Sequence, residues 1–258
     1  MMRLKIFVTV ISIIAVALCG CGQKREINIT KSKCYMNYDR DVCGRSVQGR
    51  DIHSYVFGSG HQSILYIASI HGTERAGTPL MEKFIEYLSR NAGCELTPNQ
   101  KVIVVPKINP DGFDAKTRHN ANNIDLNRNF SAENRENNPI NGLWAFSEPE
   151  SRAIANLIDI YRPQVILVFH EALNCIDYDG PAKEYAEYLG LHTDIPVKKL
   201  GARPGSLGAY AGETLGIKTI TVEFPPEVRG KDGEYMWQKY NDLVISALDL
   251  TSAQSHIR

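Results

Sequence analysis

Apolar and polar positions along the chain fall into short blocks with two different periods. Asp51–Phe57 and Ile64–Ala68 read as strands, separated by the turn Gly58-Ser59-Gly60. Leu80, Met81, Phe84, Ile85 and Leu88 then share one face at helical spacing. Val102–Pro106, Val165–Phe169 and Thr219–Phe224 are short runs rich in β-branched residues, as expected of buried strands. Between Phe113 and Phe146 lies a long polar stretch without periodicity, and loops of that length inside a domain usually carry function. Ser147-x-x-Glu150, with Pro149 inside, reads as a capping box. It opens a helix whose Ile154, Leu157, Ile158 and Tyr161 repeat at i, i+3, i+4 and i+7. Ala182–Leu189, Ser206–Leu215 and Tyr235–Leu250 read as further helices. Strands alternating with helices predict an α/β fold: a largely parallel central sheet flanked by helices. In such sheets ligands collect beyond the carboxyl ends of the strands.

Composition narrows the picture. The 258 residues are 43% hydrophobic, which fits a globular chain rather than a disordered one. Lys+Arg and Asp+Glu both number 29, so the chain lacks the basic excess of a nucleic-acid binder.

The N-terminus carries its own pattern. Arg3 and Lys5 precede an apolar run from Ile6 to Leu18, the length of a secretory leader and short for a membrane span. Leu18-Cys19-Gly20-Cys21 resembles a bacterial lipoprotein processing box. The expectation is a leader over residues 1–20, lipidation of Cys21, and an exported protein anchored at the membrane and facing the periplasm or cell surface. An ordinary cleaved leader with a free Cys21 is the plainer alternative. Residues 21–43 read as a tether and N-terminal segment, and 44–258 as the main domain. In an oxidising compartment Cys34 and Cys43, close in sequence, are candidates to pair. Spacing leaves Cys94 and Cys175 open.

Candidate chemistry gathers at the strand ends. His71 and Glu74 follow the strand Ile64–Ala68 at a spacing that lets both reach one metal ion. The pair alone also reads as a capped helix start with a surface histidine. His170 ends Val165–Phe169, where a lone histidine is more often a satisfied core residue. Two histidines and one glutamate form a known catalytic zinc set. Glu223 lies inside Ile-Thr-Val-Glu-Phe, so it is either on a solvent-facing edge or at a site. Beside a metal-activated water it suits a general base. Arg118 and the stretch Asp125-Leu126-Asn127-Arg128-Asn129-Phe130 bring planar guanidinium and amide donors suited to a carboxylate. Glu171 fits either a supporting role or a solvated loop. The remaining histidines show no partner pattern.

Taken together, His71-x-x-Glu74, Asn109-Pro110-Asp111-Gly112, Asp125-Leu126-Asn127-Arg128-Asn129-Phe130, His170 and Glu223 resemble the zinc carboxypeptidase family. Gly44-Arg45-Ser46-x-x-Gly49 looks like its opening turn. Arg118-His-Asn-Ala-Asn-Asn-Ile, Ser147-Glu-Pro-Glu, Cys175-Ile176, Pro204-Gly205-Ser206 and Glu223-Phe-Pro-Pro are similar to the murein tripeptide amidase branch. That branch cleaves the bond between γ-D-glutamate and meso-diaminopimelate. The resemblance implies a mixed, zinc-carboxypeptidase-like sheet and one zinc ion per chain, held by His71, Glu74 and His170. It implies Arg118 at the oxyanion, Asn127 and Arg128 on the substrate's terminal carboxylate, Glu223 as base, and a muropeptide substrate. The family's capping tyrosine has no counterpart before Gly205-Ser206, and Tyr210 is off register. Other readings are a D,L-carboxypeptidase, an amidohydrolase of acyl-amino acids, and a non-catalytic muropeptide-binding lipoprotein.

Overall fold

The computed structural model describes residues 34–252. The leader and the lipidation residue Cys21 lie outside them. Among the described residues, seven strands form one sheet in the order β1-β2-β4-β3-β5-β7-β6. In chain order these are β1 Tyr38–Arg45, β2 Asp51–Phe57, β3 Gln62–Ala68, β4 Gln100–Val105, β5 Val165–Glu171, β6 Cys175–Asp179 and β7 Lys218–Phe224. The four central strands β4, β3, β5 and β7 run parallel, and β1, β2 and β6 are antiparallel to their neighbours. The sheet is therefore mixed with a parallel centre.

The helices are α1 Gly77–Glu95, α2 Pro110–Ala115, α3 Pro149–Tyr161, α4 Lys183–Gly190 and α5 Gly233–Ser246. They cover both faces, which is why β3, β4 and β5 read as largely unbroken apolar runs. On one face Tyr66, Val104, Leu167 and Val222 pack with Leu80 and Phe84 of α1 and Tyr240 and Leu243 of α5. On the other Leu65, Ile103, Ile166 and Val168 pack with Ile154, Leu157 and Ile158 of α3. None of the described helices is long and apolar enough to cross a membrane.

Four expectations change. Cys34 pairs with Cys94, not with Cys43, and joins the segment ahead of β1 to the end of α1. Cys43 lies in β1 and its thiol donates to the Ile52 carbonyl at 3.3 Å. Residues 38–43, placed in the N-terminal segment ahead of the main domain, belong to the sheet through β1. The capping box does not form: the N-cap of α3 is Glu148, without a side-chain cap. Ser147 Oγ instead donates to Glu148 Oε1 at 2.8 Å, and Glu150 is fully buried, accepting from Val47 N–H and Asn120 Nδ2. The segment Ser206–Leu215 is helical but wound as a π-helix over Gly208–Thr214.

Candidate active site

The period of two along β5 and β7 builds the floor of the site. Ile166 and Val168 enter the core under α3, and His170 continues that face past the end of the helix's cover. On β7, Val222 and Phe224 enter the opposite core, so Glu223 faces the same side as His170. The two are register partners across adjacent parallel strands. A polar residue that breaks an apolar run at its carboxyl end thus lands in a cleft.

The third strand, β3, delivers His71 and Glu74 on the turn before α1. That turn is held tightly. Asn109, fully buried, caps α2 by accepting Gly112 N–H at 2.9 Å and donates to the Ile70 carbonyl at 3.1 Å. Gly72 lies so close to Gly112 that a Cβ would meet its backbone at 2.0 Å, so no larger residue fits there. Ser46 Oγ and Gln48 N–H donate to Asp111 at 2.8 and 3.0 Å. Glu171 braces the same turn: its Oε1 accepts Ala76 N–H at 2.6 Å. The motif around Asn109-Pro110-Asp111-Gly112 is therefore scaffolding.

His71, Glu74 and His170 are all buried and present donor atoms within 4.8 Å of one another. His170 Nδ1 is 2.6 Å from Glu74 Oε2. His71 Nε2 donates to Asp125 Oδ1 at 2.9 Å, which turns Nδ1 toward Glu74. Nδ1 lies 2.8 Å from Glu74 Oε1, yet it is out of hydrogen-bond alignment and buried without a partner. An orphaned imidazole nitrogen and two carboxylate oxygens aimed at a common point are what a metal ion requires. Charge agrees. Burial pushes Glu74 up, but His170 and His71 outweigh it and hold the carboxyl well below the usual carboxylate range. Burial lowers His71, but Asp125 and Glu74 outweigh it and raise it. Glu74 is therefore ionised, as a carboxylate ligand to a metal must be.

The stretch from Asp125 to Phe130 divides its work residue by residue. Asp125 orients His71, a support that zinc-binding histidines commonly have. Asn127 accepts Leu207 N–H at 2.9 Å through Oδ1, which leaves its amide nitrogen for the cleft. Arg128 lines the cleft, half-buried. Asn129 is fully buried, accepts from Ser151 Oγ at 2.7 Å and donates to Ser147 Oγ at 2.8 Å, fixing the long loop to α3. Phe130 is core. Gly205, at φ +63°, leaves no room for a Cβ against the Arg128 carbonyl, which it would meet at 2.4 Å. Arg118 Nη1 donates to Glu74 Oε1 at 2.8 Å and its Nε to Asp125 Oδ2 at 3.3 Å.

All seven residues singled out in the main domain, His71, Glu74, His170, Glu223, Arg118, Asn127 and Arg128, line one cleft of about 310 Å³. Glu223 Oε2 is buried there without a partner, and burial raises its carboxyl above the ordinary value. Arg203 also lines this cleft. Tyr210 does not; its ring packs on Phe130 and Phe146 at 6.0 and 5.3 Å. Sequence reasoning gave no role to Asp125, although its place at the head of the motif, seven residues from Arg118, was a signal. It also passed over Asp177, which lines the cleft from β6.

A zinc carboxypeptidase family model matches residues 38–188. Murein peptide amidase A of Escherichia coli K12 is 32% identical over 187 residues, covering 65% of this chain and 73% of that protein. Its counterpart in Vibrio campbellii is 31% identical over 180 residues, covering 63% and 69%. The crystal structure of the murein-tripeptide amidase of Escherichia coli O157 superposes with a TM-score of 0.59 at 28% identity, covering 79% of this chain and 91% of that one. Carboxypeptidase A of Helicoverpa armigera, at 20% identity, shares the fold with a TM-score of 0.68 over 82% of this chain and 68% of that one. This chain belongs to the zinc carboxypeptidase family. It is a zinc metallopeptidase, and His71, Glu74 and His170 are positioned for its one zinc ion.

Asp125→Asn is expected to weaken zinc binding about 10- to 100-fold without abolishing it. Titration against a competing chelator measures this. Wild-type affinity in the variant would deny Asp125 its orienting role.

Proposed function

We propose that the enzyme hydrolyses murein peptides at the bond between γ-D-glutamate and meso-diaminopimelate. The observation that carries this reading is the cleft: the metal triad and Glu223 share it with the donors Asn127 and Arg128, and relatives matched over 180–187 residues at 31–32% identity are murein peptide amidases. Bound zinc supplies Lewis acidity toward the scissile carbonyl and makes water a nucleophile near neutral pH. Glu223 takes the proton from the attacking water and passes it to the leaving amine. Arg118 donates to the oxygen that gains charge, a contribution of about 3–4 kcal/mol for one such donor. Asn127 and Arg128 hold the free carboxylate of the released residue.

That fork sets the preferred peptide length. In a murein tripeptide diaminopimelate is terminal, and its carboxylate is free to dock. An added D-alanine removes that carboxylate and leaves the half-buried donors of Asn127 and Arg128 unpaired, at a cost of about 1–3 kcal/mol. The tripeptide is therefore expected to be cut, releasing diaminopimelate, with tetra- and pentapeptides poor substrates. Arg128→Ala should raise KM for the tripeptide and narrow its lead over the tetrapeptide. Mass spectrometry of defined muropeptides reads both. Release of D-alanine from the tetrapeptide with the tripeptide left intact would replace this reading with the D,L-carboxypeptidase one.

We further propose that the enzyme is exported and anchored through lipid on Cys21. The support is the leader pattern, together with the Cys34–Cys94 disulfide, which suits an oxidising compartment. Labelling with a fatty acid tests it: Cys21→Ala should abolish incorporation and release the protein from membranes.

A further inference from the structure

Helix α1 starts without a cap of its own. Its N-cap residue is Ala76, which offers no side-chain acceptor, and its first turn carries no acidic residue. A helix start leaves its first N–H groups in need of acceptors, and the helix dipole favours a carboxylate there. The carboxylate comes from the neighbouring strand β5. Leu167 and Phe169 of β5 enter the core beneath α1, and Glu171 takes the next position on that face. There its side chain, 8% exposed, meets the helix start, and Oε1 accepts Ala76 N–H at 2.6 Å. A buried carboxylate is costly unless a cation or donors compensate it. Among the described residues the one cation within 4.0 Å is Arg229, which stands 3.8 Å from Oε2 with 66% of its side chain exposed and so compensates little. The helix start is the main partner of this carboxylate.

Glu171 also reaches the metal triad through its main chain. It follows His170 directly, and its N–H donates at 3.3 Å to Glu74 Oε2, the oxygen that lies 2.6 Å from His170 Nδ1. Only Arg75 separates Glu74 from Ala76, so the two contacts of Glu171 bracket that ligand. They fall where the sheet no longer helps. The ladder between β3 and β5 ends at Ala68 and Phe169, whereas His71 and Glu74 stand on the turn beyond β3 and His170 beyond Phe169 on β5. Past the ladder, His170 and Glu171 join the strand to the turn. A three-ligand zinc site requires both elements at a fixed separation. We infer that Glu171 is a positioning residue for the zinc site: its carboxylate replaces the missing cap of α1 and thereby sets the distance between the turn that carries His71 and Glu74 and the strand that carries His170. It acts through those ligands and is not one of them. The role holds whichever peptide bond is cut.

The test separates reach from charge. Glu171→Gln keeps an acceptor oxygen in place and loses the charge, whereas Glu171→Asp keeps the charge and is one methylene too short for Ala76. Three quantities are measured: zinc affinity by chelator competition, the visible spectrum of the cobalt-substituted enzyme, and the thermal midpoint of the metal-free protein. Glu171→Asp should bind zinc roughly 10- to 100-fold more weakly, the loss usual when support of a metal ligand is removed, and should shift the cobalt bands. Glu171→Gln should stay within a few-fold of wild type with its cobalt bands in place. Arg229→Ala should match wild type in both. Glu171→Ala removes the acceptor altogether and should lose at least as much zinc affinity as Glu171→Asp, so it serves as a second reading if Glu171→Asp is not recovered folded. Wild-type affinity and spectrum in Glu171→Asp would overturn the inference, even with a lowered midpoint of the metal-free protein, since the contact would then serve stability alone. Greater weakening in Glu171→Gln than in Glu171→Asp would overturn it as well, because the charge beside the ion, and not the strap to α1, would then be what counts.

Discussion

Glu223→Gln is expected to keep one zinc per chain and to lose turnover by about 10²- to 10⁴-fold, the range that a positioned general base contributes. Glutamine matches glutamate in shape, so the packing of β7 between β5 and β6 is retained. What disappears is the ability to accept a proton. Glu223 is placed for that task and for little else. Its Oε2 is buried and unpartnered, although Phe224 beside it is core. No ion pair in the described structure uses its charge. A buried carboxylate without a cation partner destabilises the fold that holds it, so the variant's thermal midpoint should equal or exceed wild type. Low activity, full zinc and undiminished stability together are the signature of a base. Near-normal kcat in Glu223→Gln would remove it from the mechanism.

How far the sequence reveals this enzyme depends on which faces of the sheet are buried. β3 and β5 are buried on both sides, so their apolar runs are plain and His170 stands out as a polar residue at the end of one; β7 alternates Ile220, Val222 and Phe224 with Thr219, Thr221 and Glu223, and the carboxylate stands out near its end. β1 escapes because it is an edge strand exposed along most of its length, with no alternation to detect. β6 escapes for a different reason. Its Cys175-Ile-Asp-Tyr-Asp reads as a polar loop because two of its acids floor the cleft, so function masks the strand pattern. The Cys34–Cys94 bridge spans 60 residues and depends on α1 returning to the chain's start, which spacing alone does not report. Ser147 carries the letters of a cap, yet Asn129 claims its hydroxyl and shifts the helix start by one residue. Asp125 belongs to the site through a contact 54 residues away in sequence, with no local periodicity to mark it.

The metal triad is where loss of one side chain should matter most. His170→Ala is expected to leave the purified protein without stoichiometric zinc and without measurable turnover, because two protein ligands rarely hold a catalytic zinc ion. The remaining pair is also poorly prepared to compensate. Glu74 Oε2 loses its 2.6 Å partner while still buried, and Arg118, already on Oε1, is free to draw the carboxylate away from the metal position. Three measurements separate this outcome from simple misfolding. Metal analysis after passage over a chelator gives the occupancy. Circular dichroism shows whether the sheet persists. Thermal denaturation with and without added zinc gives the linkage. Wild type should gain about 4 kcal/mol when free zinc stands about 1,000-fold above its dissociation constant, whereas His170→Ala should gain little. Asp125→Asn provides the contrast: its three ligands remain, so excess zinc should restore both its stability increment and its activity. Full occupancy in His170→Ala after the chelator would show that the ion is held elsewhere, and Glu74 and His71 would have to be reassigned with it.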